Sequence, residues 1–223
     1  MAYDFDTIAR TYDRLNRVMT FGLDRCWRKR AVQGLHGDVL DVACGTGDMA
    51  ISLAERGCTV MGVDLSAEML AIAKQKAASA TFHLGNAEAL PFAEGEFDAV
   101  TCAFGVRNFV HLERGLGEML RVLKPGGRMV ILELATPDCA IIQPFYSLYT
   151  KRIIPWLGQR IAGNREAYTY LPQSIERFPK GEAFLKIINN LGVDIQAARH
   201  RRLTFGVCRM YTIDKSIHIV DNA

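Results

Sequence analysis

The segment Val39-Leu-Asp-Val-Ala-Cys-Gly45-Thr-Gly47 constrains this chain more than any other, because it joins a short apolar run to a helical stretch through a glycine turn. Glycines at such a turn let the backbone pass close beneath a ligand and leave the next helix N-terminus facing a polar group. The same alternation then repeats. Residues 39–43 read as the first strand and Met49 to Arg56 as a helix. Residues 58–63 form a second strand ended by Asp64, with Ser66 placed to N-cap the following helix and Glu68 near its positive end. Residues 81–84 and 97–103 are the third and fourth strands, 112–122 a helix, Lys124-Pro-Gly-Gly127 a turn and 129–134 the fifth strand. This pattern predicts βα units on a mostly parallel sheet. It breaks at 137–180, where Pro137, Pro144, Pro155, Pro172 and Pro179 stand among aromatic side chains and imply helices laid across the sheet. A helix over 181–191 and two strands near 193–199 and 203–213 would close a single α/β domain with a hairpin.

Composition narrows the setting. With 223 residues, 49% hydrophobic and 23% charged, the chain buries roughly 70% of its unfolded surface in one core. Its six cysteines are scattered without a C-x-x-C pair, which fits reduced thiols in a cytoplasm, and no metal is expected. No apolar run reaches the ~18 residues of a membrane span. The N-terminus is acidic and aromatic rather than a basic leader, so neither a bilayer span nor export is expected. Residues 1–139 hold 15 Lys/Arg against 18 Asp/Glu, whereas residues 140–223 hold 12 against 6. The basic C-terminal third suits an anionic membrane surface, or is simply a solvated face. Basic and aromatic residues do not interleave as in RNA-binding strands, and no nucleic acid partner is expected.

The glycine turn alone is a weak signal, since Gly45-x-Gly47-x-x-Ala50 also fits a dinucleotide fingerprint and a turn without a ligand would use the same glycines. Asp64 sharpens it: 17 residues after Gly47, at the end of the second strand, its carboxylate is placed to accept both ribose hydroxyls. Asp41 then favours S-adenosylmethionine over a nicotinamide dinucleotide. It stands inside the first strand, four residues before Gly45, where a dinucleotide fold has an apolar residue. There it can answer the cationic amino group of a methionine moiety, for which a pyrophosphate has no use. After the third strand, Gly85-Asn86-Ala87-Glu-Ala-Leu-Pro91 offers an amide side chain and a backbone N–H to an adenine edge, unless Asn86 is only a turn residue.

These segments, with Leu123-Lys-Pro-Gly-Gly-Arg128, resemble the class I methyltransferases. Further stretches resemble one branch of them, the C-methyltransferases of menaquinone and ubiquinone formation. They are Phe5-Asp-Thr-Ile-Ala-Arg-Thr-Tyr-Asp13 with Asn16, Met19, Phe21-Gly22 and Trp27-Arg28; Ala103-Phe-Gly-Val-Arg-Asn-Phe109; and Ala162-Gly-Asn-Arg-Glu-Ala-Tyr-Thr-Tyr-Leu-Pro172 with Ser174-Ile175 and Phe178-Pro179. The resemblance implies a Rossmann-like class I methyltransferase fold: a seven-stranded, mostly parallel sheet with helices on both faces and a C-terminal antiparallel hairpin. It divides one domain into an N-terminal helical cover (1–35), a cofactor-binding core (36–136), a helical substrate lid (137–180) and a C-terminal helix with strands (181–223). It implies S-adenosyl-L-methionine as cofactor, with Thr46, Asp64, Asn86, Ala87 and Ala103 lining its site beside Asp41, Gly45, Gly47 and Leu65. The implied reaction is C-methylation of a prenylated quinol, demethylmenaquinol foremost, with the methoxy-polyprenyl-benzoquinol of the ubiquinone pathway as alternative. A membrane surface and a second copy of the chain are the other expected partners. Ala43 departs from the glycine common in this loop and Ala103 from the serine of some relatives; both methyls would narrow the site. Residues 215–223 extend past the usual end of the family without an assigned role.

The implied chemistry sets demands of its own. A quinol hydroxyl titrates near pH 10, as tyrosine does, so the ring becomes a strong carbon nucleophile only as that proton leaves. Arg107 in Gly105-Val-Arg-Asn108 follows the fourth strand, at the carboxyl end of the sheet, where a guanidinium would stabilise a phenolate. Asn108 could orient the second oxygen. Arginine scarcely deprotonates, so the proton would pass to a water, His111, Tyr168 or Tyr170. The plainer alternatives are a surface ion pair for Arg107, a helix-start residue for His111 and packing for the tyrosines. Phe145, Tyr149, Trp156, Tyr12, Phe21 and Trp27 suit a core or a greasy lid for an isoprenoid tail. Three rival readings remain: a nicotinamide oxidoreductase, disfavoured by Asp41 and by the lack of a second catalytic domain; a methyltransferase for another lipid or small amine; and a binding protein without catalysis.

Overall fold

A computed structural model describes residue 6, residues 9–156, residue 160 and residues 165–217, the side chains of 165–169 excepted. Seven strands form one sheet: β1 (Asp38–Val42), β2 (Thr59–Asp64), β3 (Ala80–Leu84), β4 (Phe97–Ala103), β5 (Leu123–Leu134), β6 (Ile195–Leu203) and β7 (Cys208–Lys215), in the order β3-β2-β1-β4-β5-β7-β6. The first five are parallel, and β7 inserts antiparallel between β5 and β6. Sheet growth reverses between β1 and β4. The crevice at their carboxyl ends is the topological switch point where open α/β sheets bind ligands.

Helices α1 (Ala9–Met19), α2 (Leu23–Ala31), α3 (Asp48–Ala54), α4 (Ala67–Lys76), α5 (Leu112–Val122), α6 (Gln143–Leu148), α7 (Arg165–Arg177) and α8 (Glu182–Asn189) surround the sheet; a π turn over Tyr149–Ile153 prolongs α6. Alternation along β5 builds both cores. Met129 and Ile131 pack with Leu116, Met119 and Phe184 on one face, while Val130 and Leu132 pack with Trp27, Ala31 and Leu53 on the other. Ser66 caps α4 as expected, its Oγ accepting the Met69 N–H at 3.0 Å.

Several boundaries differ from the sequence reading, each for a local reason. β1 ends at Val42, because Ala43 turns to φ +53° and leaves the ladder. The expected turn at 124–127 lies inside β5: pairing jumps from Phe97↔Leu123 to Ala99↔Arg128, and the intervening residues bulge, with Gly126 at φ +76°. The hairpin sits later than expected, since β6 runs through Leu203 and the chain reverses at Thr204–Gly206, with Thr204 and Phe205 at φ +45° and +55°. Pro172 lies within α7 rather than between helices. Lys215, to which the sequence assigned no role, is buried, and its Nζ donates to the carbonyls of Leu120 and Leu123 at 2.8 and 2.7 Å, closing the C-terminal end of α5. Among the described residues no helix is long and apolar enough to cross a membrane, and no cluster of metal-ligating side chains occurs.

Candidate active site

Three hollows meet at the switch point. The first is a cavity of about 410 Å³ lined by Gly45, Asp64, Leu65, Asn86, Ala87 and Ala103. Asp64 is fixed within it: its Oδ2 accepts the Gly45 N–H at 2.8 Å and its Oδ1 the Ser66 N–H at 2.9 Å. Burial nevertheless holds its pKa above the usual carboxylate value, so lone pairs aimed at the cavity favour a hydroxyl donor. Asn86 is both turn residue and wall, its Oδ1 accepting the Glu88 N–H at 2.9 Å. His111 borders this same cavity, 65% exposed and 3.3 Å from the Glu88 carboxylate, and is absent from the apolar cavity described below.

The second hollow is a small cleft at the glycine turn, shared by Asp41, Arg28, Tyr12, Gly45, Thr46 and Ala103. Asp41 is buried on β1, where its Oδ1 accepts the Thr101 hydroxyl at 2.8 Å. Its Oδ2 is buried without a hydrogen-bond partner, and desolvation pushes its pKa up to about 7. The Thr46 hydroxyl donates to Asp13 of α1, tying the cover to the turn. Gly47 lines none of the three hollows. A Cβ there would lie 3.2 Å from that of Ala73, so helix packing and its φ of +84° explain this glycine. Ala43 packs its methyl toward Gly105, where an added Cβ would come within 2.6 Å.

The third hollow is an apolar cavity of about 270 Å³ under α1, α2, α6 and α7, and it shares Tyr12 and Phe104 with the first. Arg107 lies in its wall, buried rather than on the surface. Its Nη1 donates to Glu133 Oε1 and to the Phe104 carbonyl, both at 2.6 Å, and its Nε has no partner. Glu133, 1% exposed on β5, also accepts the Leu134 N–H at 2.9 Å. It was missed in the sequence, although an acid within Met129-Val-Ile-Leu-Glu-Leu134 is a readable anomaly. Burial raises the Tyr12 hydroxyl pKa, and Arg107 opposes that rise. Tyr170 lines the cavity and donates to Asn108 Oδ1 at 3.2 Å, while Asn108 itself borders the first cavity. The side chain of Tyr168 lies outside the described residues.

A cavity with a clamped acid, a cleft with an unpartnered acid and an apolar chamber with a buried guanidinium thus converge on Tyr12, and the first and third also share Phe104. The model of the ubiE/COQ5 methyltransferase family matches residues 2–215. The chain belongs to that family. It is 45% identical to the demethylmenaquinone methyltransferase of Thermus thermophilus, over 95% of this chain and 99% of that one. It is 42% identical to the ubiquinone/menaquinone biosynthesis C-methyltransferase UbiE of Geotalea daltonii, over 95% and 94%. Solved structures share its fold. One is a methyltransferase of Thermotoga maritima (TM-score 0.70, 18% identity, 95% of this chain and 98% of that one). Another is the phosphoethanolamine N-methyltransferase 2 of Haemonchus contortus in complex with S-adenosyl-L-methionine (TM-score 0.62, 18% identity, 88% and 53%). The methyltransferase uses S-adenosylmethionine, and its residues fit that group: Asp64 offers carboxylate lone pairs to a ribose, and the unpartnered Asp41 oxygen suits the methionine ammonium.

Proposed function

We propose that this methyltransferase methylates a ring carbon of a prenylated quinol, demethylmenaquinol foremost, with Asp41, Asp64, Asn86, Ala87 and Ala103 holding the cofactor. The observation that carries the reading is the buried Arg107 guanidinium in an apolar wall, beside the residues Tyr12 and Phe104 that border the cofactor cavity. S-adenosylmethionine supplies an electrophilic sulfonium methyl. Arg107 stabilises the phenolate oxygen as the quinol proton leaves, because a fixed cation in a dry wall favours charge that develops there. Tyr170, bonded to Asn108, stands in place to orient the ring oxygen, and the quinol proton leaves to water. His111 drops out of this role, since it opens on the other cavity. A small amine substrate is less well served: Asp24, the carboxylate in the apolar wall, is already taken by Arg28 and Thr20.

The names of the relatives, demethylmenaquinone and ubiquinone/menaquinone methyltransferases, support the quinol class. Tyr146, Tyr149, Ile154 and Ile175 of the helical segment give an isoprenoid tail an apolar wall, which supports its role as a lid. Exposed Phe21, Phe145, Leu148, Trp156 and Phe205, with arginines along β6, support contact with an anionic membrane surface. The deciding experiment incubates purified protein and S-adenosylmethionine with demethylmenaquinol and, separately, with the methoxy-polyprenyl-benzoquinol, and weighs the products by mass spectrometry. A gain of one methyl on the naphthoquinol ring is expected. Methylation of neither, with transfer to a non-quinol acceptor, would overturn the reading.

A further inference from the structure

Arg28 has no part in the proposed chemistry, yet it is among the most constrained cations in the molecule. It lies on α2, buried, with Nη1 2.6 Å from Asp24 Oδ2 and 3.9 Å from Asp48 Oδ2, and its guanidinium carbon is 5.1 Å from the centre of the Phe104 ring. Its Nε is buried and has no hydrogen-bond partner. Arg28 lines the same small cleft as Asp41, whose Oδ2 is equally orphaned. One cleft at the glycine turn therefore holds a donor and an acceptor of opposite charge, both desolvated and both unsatisfied. Unpaired buried polar atoms are costly, and two of opposite charge in one cleft call for a partner that satisfies both.

An α-amino acid carries an ammonium and a carboxylate on one carbon, which is the complement of this pair. We infer that Arg28 holds the carboxylate of the methionine end of S-adenosylmethionine while Asp41 takes its ammonium. The charges around the cleft agree. The cations Arg17, Arg28 and Lys76 are paired with Asp13, Asp24 and Asp48, so Asp41 and Asp64 are left without an ion pair among the described residues. A cofactor bearing one ammonium, one sulfonium and one carboxylate brings a single net positive charge to that acidic site. Arg28 also borders the apolar cavity, so a quinol oxygen is the competing ligand. The cofactor is favoured because Asp41 lines the cleft and not that cavity. Arg28 thus belongs to the cofactor site although it comes from the N-terminal cover, which makes that cover part of the binding machinery.

The test is calorimetry with S-adenosylmethionine, its decarboxylated form and 5′-methylthioadenosine, which lacks the amino-acid end. Wild type should prefer the complete cofactor to the decarboxylated one by about tenfold to a hundredfold, the range of a charge-assisted hydrogen bond. In Arg28→Gln that preference should fall to within about threefold while methylthioadenosine binds as in wild type. Arg28→Lys should lie between, since an ammonium keeps the charge and loses the planar fork. Equal affinity of wild type for the complete and decarboxylated forms would overturn the inference. So would an undiminished preference in Arg28→Gln, or a variant whose quinol KM rises while cofactor discrimination stays intact. If Arg28→Gln loses methylthioadenosine as well, its fold has failed, and an undiminished preference in Arg28→Lys is then the overturning result. Failure of wild type to bind methylthioadenosine would instead count against the nucleoside cavity itself.

Discussion

Asp41 is held near its point of ionisation, with a pKa of about 7 imposed by burial and only partly opposed by the Thr101 hydroxyl. Its folded pKa exceeds the unfolded value of about 3.9, so the native state keeps a proton that the unfolded chain gives up, and stability falls as pH rises between about 4 and 7. Ammonium binding requires the ionised form, so the dissociation constant for S-adenosylmethionine should fall as pH rises to about 7 and rise again above about pH 8, where the amino group itself loses its proton. Asp41→Asn should raise the Tm of the free protein at about pH 8 and weaken the cofactor by at least about tenfold. A wild-type dissociation constant flat from about pH 6 to 8 would remove Asp41 from the methionine end. Arg107 calls for a different design, because Arg107→Met strands the buried Glu133 and should cost about 3–5 kcal/mol of stability. Turnover should nevertheless fall by about 10²–10³ through lost transition-state stabilisation, with cofactor affinity nearly unchanged. Adding Glu133→Gln should restore much of the fold without restoring turnover, while Arg107→Lys recovers part of it and high pH partly rescues the Met variant. Wild-type turnover in the stabilised double variant would make Arg107 a structural ion pair. At this scale the sequence was legible where position relative to a strand defines a place, as for Asp41 and Asp64, which stand in the hollows at the carboxyl ends of β1 and β2. It was silent where a partner comes from a distant strand, as Glu133 does for Arg107, and it did not reveal that Gly47 packs against Ala73.

Helix α4 shows how an element carries the site. Its cap residue Ser66 accepts the Met69 N–H, meets the Asp6 carboxylate and, through its own N–H, clamps Asp64. Ser66→Ala keeps the last bond, since the backbone remains, and loses the first two. The expected loss is about 1 kcal/mol in denaturant unfolding, the usual worth of a serine N-cap. Ribose recognition should be little changed in calorimetry, because the Asp64 clamp is backbone. A loss of stability under about 0.3 kcal/mol would mean that the cap is redundant. Elements were legible where a strand is mostly apolar and a helix keeps its period: β4 and α5 fall at 97–103 and 112–122 as the periodicity requires. The β6–β7 hairpin was placed too early because Thr204 and Phe205, neither of them a turn former, reverse the chain at positive φ. The bulge at 124–127 has the turn chemistry that its Pro-Gly-Gly sequence announces, yet pairing on both sides makes it part of one long strand.

On the scale of the whole molecule, the mouth of the apolar cavity is bordered by two turns that hold phenylalanines outward. Phe21 follows Thr20 at φ +52° and is 78% exposed, and Phe205 follows Thr204 at φ +55° and is 77% exposed; Thr20 and Thr204 both line the cavity. Two bulky residues in the left-handed region, both turned to water, are a cost that a lipid surface would offset. Beside them, Arg199 and Arg201 alternate with Leu203 along β6, and Leu203 packs on the cavity side of the sheet, so by strand periodicity the arginines share that face. Each cation close to an anionic leaflet contributes about 1 kcal/mol, a contribution that salt screens within a Debye length of about 10 Å at 0.1 M. Vesicle sedimentation should therefore resolve two components: a basic one that favours anionic over neutral vesicles and fades as salt rises, and an aromatic one that persists. Arg201→Glu should remove most of the first and Phe205→Ser most of the second, with turnover on a short-tailed, detergent-soluble quinol kept in both, because neither side chain lines a cavity of the site. Equal and negligible sedimentation with anionic and neutral vesicles at low salt would eliminate the membrane reading. The quinol reading would survive that outcome, since an apolar cavity can take a lipid from a carrier or a micelle without the protein touching a bilayer.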